Sequence, residues 1–119
     1  MKDLRREIEN LHGETYLRKS ALRIEGGAEA FAWALAGRDY PTVLEIGTYR
    51  GVSAAAMAQY CRQVITVDLL QGKREANGEH FDRYEFWESL GIENVLLILV
   101  EDDLDKAEKL ADLTFDFAF

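Results

Sequence analysis

Two glycines, Gly47 and Gly51, stand between an apolar run and an Ala-rich run, and this pattern could bind a ligand. Residues 42–46 predict a short buried strand, and residues 51–61 predict a helix. Gly47 permits a tight bend with positive φ, and Gly51 permits a ligand or the sheet to approach the backbone closely. The helix start would offer free N–H groups that suit a carboxylate or a phosphate. A strand, a glycine turn and a helix in this order predict a ligand site at the carboxyl end of a parallel sheet.

An acidic residue follows the second predicted strand, residues 64–68. This residue, Asp68, lies 21 positions after Gly47. A carboxylate at the end of a second strand can accept hydrogen bonds from ribose hydroxyls. The glycine turn and the acid together predict a ligand that contains adenosine. The plainer interpretations are an ordinary βα turn and a solvated carboxylate at the end of a strand.

The spacing of the glycines discriminates between nucleotide ligands. The dinucleotide fingerprint requires glycines at relative positions 1, 3 and 6, whereas here they occupy positions 1 and 5. Tyr49 stands at position 3 and Val52 at position 6, which disfavours NAD and FAD. The sequence contains no Gly-Lys-Ser/Thr, which excludes a Walker-type phosphate loop. A nicotinamide-dependent oxidoreductase is therefore the weakest candidate.

The remaining elements must position this turn. The pattern predicts helices at residues 3–11, 26–36, 51–61, 79–90 and 103–112, strands at 42–46, 64–68, 94–100 and 115–119, and a loop at 71–78. Strands alternating with helices indicate right-handed crossovers and an α/β fold with a parallel sheet. Because the strands are nearly continuous apolar runs, we expect both faces of the sheet to be covered.

Two helices have predicted apolar faces. In the helix at 79–90 the aromatic stripe consists of Phe81, Tyr84, Trp87 and Leu90, and Phe86 lies off it. In the helix at 103–112 the residues expected to face inward are Leu104, Ala107, Leu110 and Ala111. The single cysteine, Cys61, follows the Ala-rich run and is expected to be buried.

Length and charge restrict the possible partners. The chain has 119 residues and a formal net charge of −8, which disfavours nucleic acid and anionic membranes as partners. One cysteine allows neither an intramolecular disulfide nor a cysteine-based zinc site. No apolar run approaches the roughly 20 residues of a membrane span, and residues 1–7 do not form a signal peptide. We expect a cytoplasmic domain.

The residues around the glycines also resemble a known family. Residues 45–54 read Glu45-Ile46-Gly47-Thr48-Tyr49-Arg50-Gly51-Val52-Ser53-Ala54. This segment resembles motif I of the class I S-adenosylmethionine (SAM)-dependent methyltransferases, and most of all the small-molecule O-methyltransferases of the catechol and caffeoyl-coenzyme A type. The resemblance covers residues 42–119 as a Rossmann-like SAM-binding half-domain. Residues 1–41 fit only as preceding helices.

The resemblance implies roles for individual residues. The residues implied to form the turn around the methionine part of SAM are Glu45, Gly47, Thr48, Tyr49 and Gly51. Ser53 would donate to the SAM carboxylate and Asp68 would hold the ribose. Asp103 or Asp102 would sit at the adenine amino group, although Asp102 stands where the family commonly has glycine. From the residues alone, Asp103 could instead cap the helix that starts at Leu104.

The family's strand order is 3-2-1-4-5-7-6, and the resemblance implies that this chain carries only the half 3-2-1-4. The resemblance places the metal ligands and most of the acceptor pocket after Phe119, so it implies no metal site in this chain. The catalytic residues stay unknown, and the acceptor implied is a small molecule. We expect SAM-dependent O-methylation, or a non-catalytic SAM- or nucleoside-binding domain. We also expect the apolar fourth strand to pair with another copy of the chain, or the chain to be part of a longer protein.

Overall fold

The computed structural model describes residues 3–17, 20, 27–35, 41–69 and 82–118. Several sequence predictions lie outside these residues: the loop at 71–78, Phe81 of the aromatic stripe, the first residues of the helix at 79–90, and Phe119. The described helices are α1 (Leu4–His12), α2 (Gly27–Leu35), α3 (Val52–Ala58), α4 (Arg83–Ser89) and α5 (Asp103–Leu110), with a 3₁₀ turn at Glu14–Leu17. The strands are β1 (Thr42–Ile46), β2 (Gln63–Leu69), β3 (Val95–Val100) and β4 (Phe117–Ala118).

The four strands form one parallel sheet in the order β3-β2-β1-β4, which confirms the predicted α/β class and the predicted strand order. Ile46 pairs with Val67, so β1 and β2 end almost level with each other. Asp68 pairs with Leu99 one position further along. The segments that follow β1, β2 and β3 therefore all leave the sheet at the same edge, where open α/β sheets bind ligands.

The larger core lies between one face of the sheet and helices α1 to α4. Its fully buried side chains include Ile8 of α1, Met57 of α3 and Trp87 of α4, and Cys61 is buried there as predicted. Asp3 caps α1 by accepting from the Arg6 amide, and Gly13 ends α1 at a φ of 86°. The opposite face has a smaller core that contains Leu44, Ile65, Val67 and Val100.

The predicted face of α5 is wrong. Leu104 is 70% exposed, Ala107 and Ala111 are exposed, and α5 has no buried residue. Only Leu110, together with Leu113 beyond the helix end, packs against the smaller core. Among the described residues, only four side chains are buried in that core. It is covered by the C-terminal end of α5 and not by the whole helix. β3 is likewise only half-buried along most of its length. The sheet is therefore not evenly covered on both faces.

The aromatic stripe of α4 is also partly wrong. Tyr84 is 52% exposed, whereas Phe86, which was predicted to lie off the stripe, is buried. Phe86 stacks on Tyr16 with ring centroids 4.6 Å apart and meets the edge of His12 at 5.1 Å. Trp87 and Leu90 are buried as predicted. The N-terminal helices thus determine which face of α4 is buried, and the periodicity of α4 alone does not contain that information.

Candidate functional site

The turn after β1 takes three positive φ angles within five residues. They are 95° at Gly47, 51° at Tyr49 and 86° at Gly51. The Gly47 amide donates to the Val67 carbonyl at 2.8 Å, which ties the start of the turn to the end of β2. The Gly51 amide donates to the Thr48 carbonyl at 2.9 Å and closes the turn. Tyr49 is the only non-glycine residue with positive φ among the described residues, and residues in such strained conformations cluster at functional sites.

The two glycines meet different surroundings. A Cβ atom at Gly47 would have no neighbour within 4 Å among the described residues, so within that part of the chain its positive φ alone favours glycine there. A Cβ atom at Gly51 would lie 2.8 Å from Nε1 of Trp87. Gly51 was predicted to admit a ligand or the sheet, and the group that approaches it is the indole of α4.

Side chains from neighbouring helices bind three successive carbonyls of the turn. Arg83 Nη1 donates to the Tyr49 carbonyl at 3.2 Å, and the Tyr16 hydroxyl donates to the Arg50 carbonyl at 3.2 Å. Trp87 Nε1 donates to the Gly51 carbonyl at 2.9 Å in a buried position. Three oriented donors fix the planes of three peptide groups. The turn is therefore pre-organised before any ligand arrives.

Asp68 is joined directly to the glycine turn. Its Oδ2 accepts from the Tyr49 amide at 3.2 Å and from Arg83 Nη1 at 2.6 Å, and its Oδ1 accepts from the Leu69 amide at 2.9 Å. The side chain of Asp68 is 24% exposed and that of Arg83 is 14% exposed. The structure thus brings the predicted ribose acid and the predicted turn into contact. The sequence analysis missed Arg83, and the signal that could have found it is a cation at the start of the helix that follows the acid.

Two predicted site residues, Glu45 and Thr48, lie beneath the turn. Glu45 is 2% exposed, and its Oε1 accepts from the Thr66 hydroxyl at 2.7 Å. The hydroxyls of Thr66 and Thr48 are 2.7 Å apart. Burial raises the pKa of Glu45 to about 7, against a lowering by the Thr66 hydrogen bond and a further raising by Asp68. These side chains support the turn from inside the sheet.

The other predicted site residues lie on the first turn of α3 and at the start of α5. Ser53 is half-buried on the first turn of α3, which begins without a side-chain cap. Asp102 caps α5 by accepting from the Asp105 amide at 2.8 Å, so the cap is one residue earlier than the Asp103 considered from sequence. Asp103 is 98% exposed and pairs with Lys106 at 3.0 Å. Both acids follow β3 at the sheet edge that also carries Asp68.

Two further observations concern the described part of the chain only. No three His, Cys, Asp or Glu side chains gather there in a way that could hold a metal ion. Within the same residues, no helix has the length and apolar character needed to cross a bilayer.

Solved structures share this architecture. A "putative O-methyltransferase" from Klebsiella pneumoniae aligns over 98% of this chain and 51% of its own, with a TM-score of 0.69 and 23% identity. A Podospora anserina methyltransferase, solved with S-adenosylhomocysteine (SAH) bound, aligns over 100% of this chain and 50% of its own, with a TM-score of 0.62 and 21% identity. The chain has a class I methyltransferase-like fold.

A third structure, a "putative SAM-dependent methyltransferase" from Streptococcus mutans, aligns over 76% of this chain and 24% of its own, with a TM-score of 0.54 and 21% identity. This chain thus spans about half the length of the first two structures and less of the third. Neither a protein-family model nor a curated protein matches the sequence. At these identities the likeness concerns the fold, and the activity has to be argued from the site.

Proposed function

We propose that this chain binds SAM at the carboxyl edge of its sheet and forms the donor half of a small-molecule O-methyltransferase. The observation that carries the proposal is the contact between Asp68 Oδ2 and the Tyr49 amide, 3.2 Å apart. It joins the carboxylate that suits a ribose to the glycine turn that suits the rest of the ligand.

The surroundings of the turn fit such a ligand. Among the described residues, nothing would lie within 4 Å of a Cβ atom at Gly47, which leaves space for a ligand there. The carboxylate of Asp68 is partly exposed at the same edge. Ser53 is proposed to bind the SAM carboxylate, and Asp103, with Asp102 as the alternative, is proposed to bind the adenine.

When bound, SAM supplies an electrophilic methyl group that an acceptor oxygen takes up, with the carbon–sulfur electron pair staying on sulfur and the hydroxyl proton leaving to a base. The residues of this chain bind and orient the donor, which is the main requirement of such an in-line transfer. The turn is held rigidly enough for this task because Tyr16, Arg83 and Trp87 bind its carbonyls. The net charge of −8 disfavours a nucleic-acid acceptor and supports a small molecule.

Titration calorimetry tests the binding proposal. We expect SAM and SAH to bind and NAD to show no heat. Asp68→Asn is expected to weaken SAH binding at least about tenfold, because the ribose loses a charged acceptor. Asp112→Asn is the matched control, since Asp112 is exposed in the turn after α5, and its affinity should equal that of the wild type. SAH binding that is unchanged in Asp68→Asn would refute the ribose assignment.

A second candidate is a SAM- or nucleoside-binding domain that acts by association and not by catalysis. The observation that favours it is β4, which pairs on one side with β1 and has no strand on its other side among the described residues. Such an edge can pair with another chain, and we propose a second copy of this chain as its partner. Light scattering after size exclusion should give a dimer mass. A monomer would remove this candidate, while methyl transfer to a catechol or caffeoyl acceptor would favour the enzyme.

A further inference from the structure

The guanidinium of Arg83 donates to Asp68, the carboxylate that is proposed to hold the ribose. We propose that Arg83 competes with the ribose diol for Asp68, so that it sets both the affinity of the site and its preference for ribose over deoxyribose. This inference rests on the proposed nucleoside site. It gives Arg83 a role in ligand binding beyond its ion pair with Asp68.

The number of acceptor positions on Asp68 gives the first argument. A carboxylate has about four lone-pair positions for hydrogen bonds. Oδ2 already accepts two donors, the Tyr49 amide and Arg83 Nη1, and Oδ1 accepts the Leu69 amide. One position is left, which is enough for one ribose hydroxyl and not for two. A second hydroxyl has to displace an existing donor.

Only one of those three donors can leave without unfolding the site. The Tyr49 and Leu69 amides are backbone groups of the turn and of β2. Arg83 is the first residue of α4, and its guanidinium reaches Asp68 on a long flexible side chain. Nη1 also donates to the Tyr49 carbonyl at 3.2 Å, so the arginine can release Asp68 and keep its hold on the turn.

Breaking the ion pair between Arg83 and Asp68 costs free energy, and this cost lowers the affinity of the site for a ribose. The Arg83–Asp68 contact is short, at 2.6 Å, and mostly shielded from solvent, and charge-assisted hydrogen bonds of this kind are the strong ones. A ligand with both ribose hydroxyls must break it, whereas a ligand with a single hydroxyl can use the position that is left. The ion pair therefore reduces the advantage that a ribose would otherwise have over a deoxyribose.

The test compares wild type with Arg83→Met, which keeps the length of the side chain and removes its charge and donors. SAH is a suitable probe because its amino and carboxylate charges cancel. We expect Arg83→Met to bind SAH about three- to tenfold more tightly, measured by titration calorimetry. Raising the salt concentration should tighten binding to the wild type by about twofold at most, because salt screens a mostly shielded ion pair only weakly, and should leave Arg83→Met unchanged.

A second measurement separates competition from a merely structural role. The ratio of the dissociation constants of 2′-deoxyadenosine and adenosine should be larger in Arg83→Met than in the wild type. Arg5→Met is the matched control, because Arg5 also forms an ion pair, with Glu9 at 3.2 Å, on α1 and not at the turn. Its affinity, salt response and ribose preference should equal those of the wild type. Arg83→Gln replaces Arg83→Met if the latter does not fold.

The outcomes distinguish this inference from the proposed function. If SAH binding depends on Asp68 but Arg83→Met binds equally or more weakly, with an unchanged ribose preference, the competition is refuted and the donor site stands. If neither the wild type nor the variant binds SAH, the proposed function fails and this inference fails with it.

Discussion

The segment after β1 and the segment after β3 leave the same edge of one parallel sheet, but they are held in different ways. The turn at residues 47–51 is bound by side chains from the 3₁₀ turn and from α4, 34 to 36 positions away in sequence. The segment at 101–105 is held by local contacts, such as Asp102 to the Asp105 amide and Asp105 to the Glu101 amide. The first is therefore pre-organised by tertiary packing, and the second only by its own helix cap.

In the proposed SAM site, this difference would give the two segments different tasks. A pre-organised turn can orient the reacting part of a ligand, because its groups cost little to order on binding. An exposed acidic segment contributes a contact that forms with the ligand. Variants of the turn should therefore change both folding and binding, whereas a variant of the exposed Asp103 in the second segment should change binding alone.

The largest expected effect comes from adding one methyl group at Gly51. In Gly51→Ala the new Cβ would lie 2.8 Å from Trp87 Nε1 at a φ of 86°, and the buried indole cannot move aside. We expect the free energy of unfolding to fall by about 4 kcal/mol, from left-handed backbone strain and overpacking together. Urea unfolding measures it.

Gly13→Ala is the control for that experiment. Gly13 has the same φ of 86°, but a Cβ there would meet nothing within 4 Å. The substitution should cost only backbone strain, about 2 kcal/mol, because at a ψ of 159° Gly13 lies in a region that is essentially restricted to glycine. Equal losses in the two variants would show that the indole does not hold the turn.

The second-largest expected effect is on the pH dependence of the free energy of unfolding, which has opposite signs in the two regions. Burial raises the pKa of Glu45 to about 7 from 4.5, so the folded protein binds the proton more tightly than the unfolded chain does. The contribution of Glu45 to stability is therefore full below about pH 4.5 and is lost as the pH rises to about 7, by about 3 kcal/mol. In Glu45→Gln this loss should be absent when urea unfolding is repeated between pH 4.5 and 8.

Asp105 provides the contrast. The hydrogen bond from the Glu101 amide lowers the pKa of Asp105, so its contribution is present at neutral pH and is lost only as the pH falls into the acid range. Asp105→Asn should change the acid limb of the stability profile and leave the limb between pH 4.5 and 7 as in the wild type. A change in the neutral limb would contradict this separation of the two regions.

The smallest expected effect concerns the two acids after β3. The carboxylate of Asp102 is engaged by the Asp105 amide, whereas that of Asp103 is 98% exposed and can turn to a ligand. We expect Asp103→Asn to weaken SAH binding about threefold without changing stability. Asp102→Asn, which keeps a capping side chain, should bind as the wild type does. The reverse result would assign the adenine contact to Asp102 and not to Asp103.

Much of the fold could be predicted because its signals are local. The bounds predicted for β1, residues 42–46, are those of the structure, and β2 and β3 differ from their predictions by a residue at one or both ends. Gly47 has the positive φ that was expected, and Asp68 lies at the end of β2 as expected. Periodicity, β-propensity and glycine placement depend on neighbours within a few residues, so the sequence carries them directly.

What the sequence alone determined, then, is the order of strands and helices, the glycine turn and the acid at the second strand end. The tertiary structure decided what holds them. Nothing in the local pattern indicates that Arg83 binds Asp68, that Trp87 excludes a side chain at Gly51, or that Phe86 is buried while Leu104 is exposed. Those facts depend on which surfaces meet across the core. Packing between distant elements decides them, because the free energy of burial belongs to the pair of surfaces and not to either segment alone.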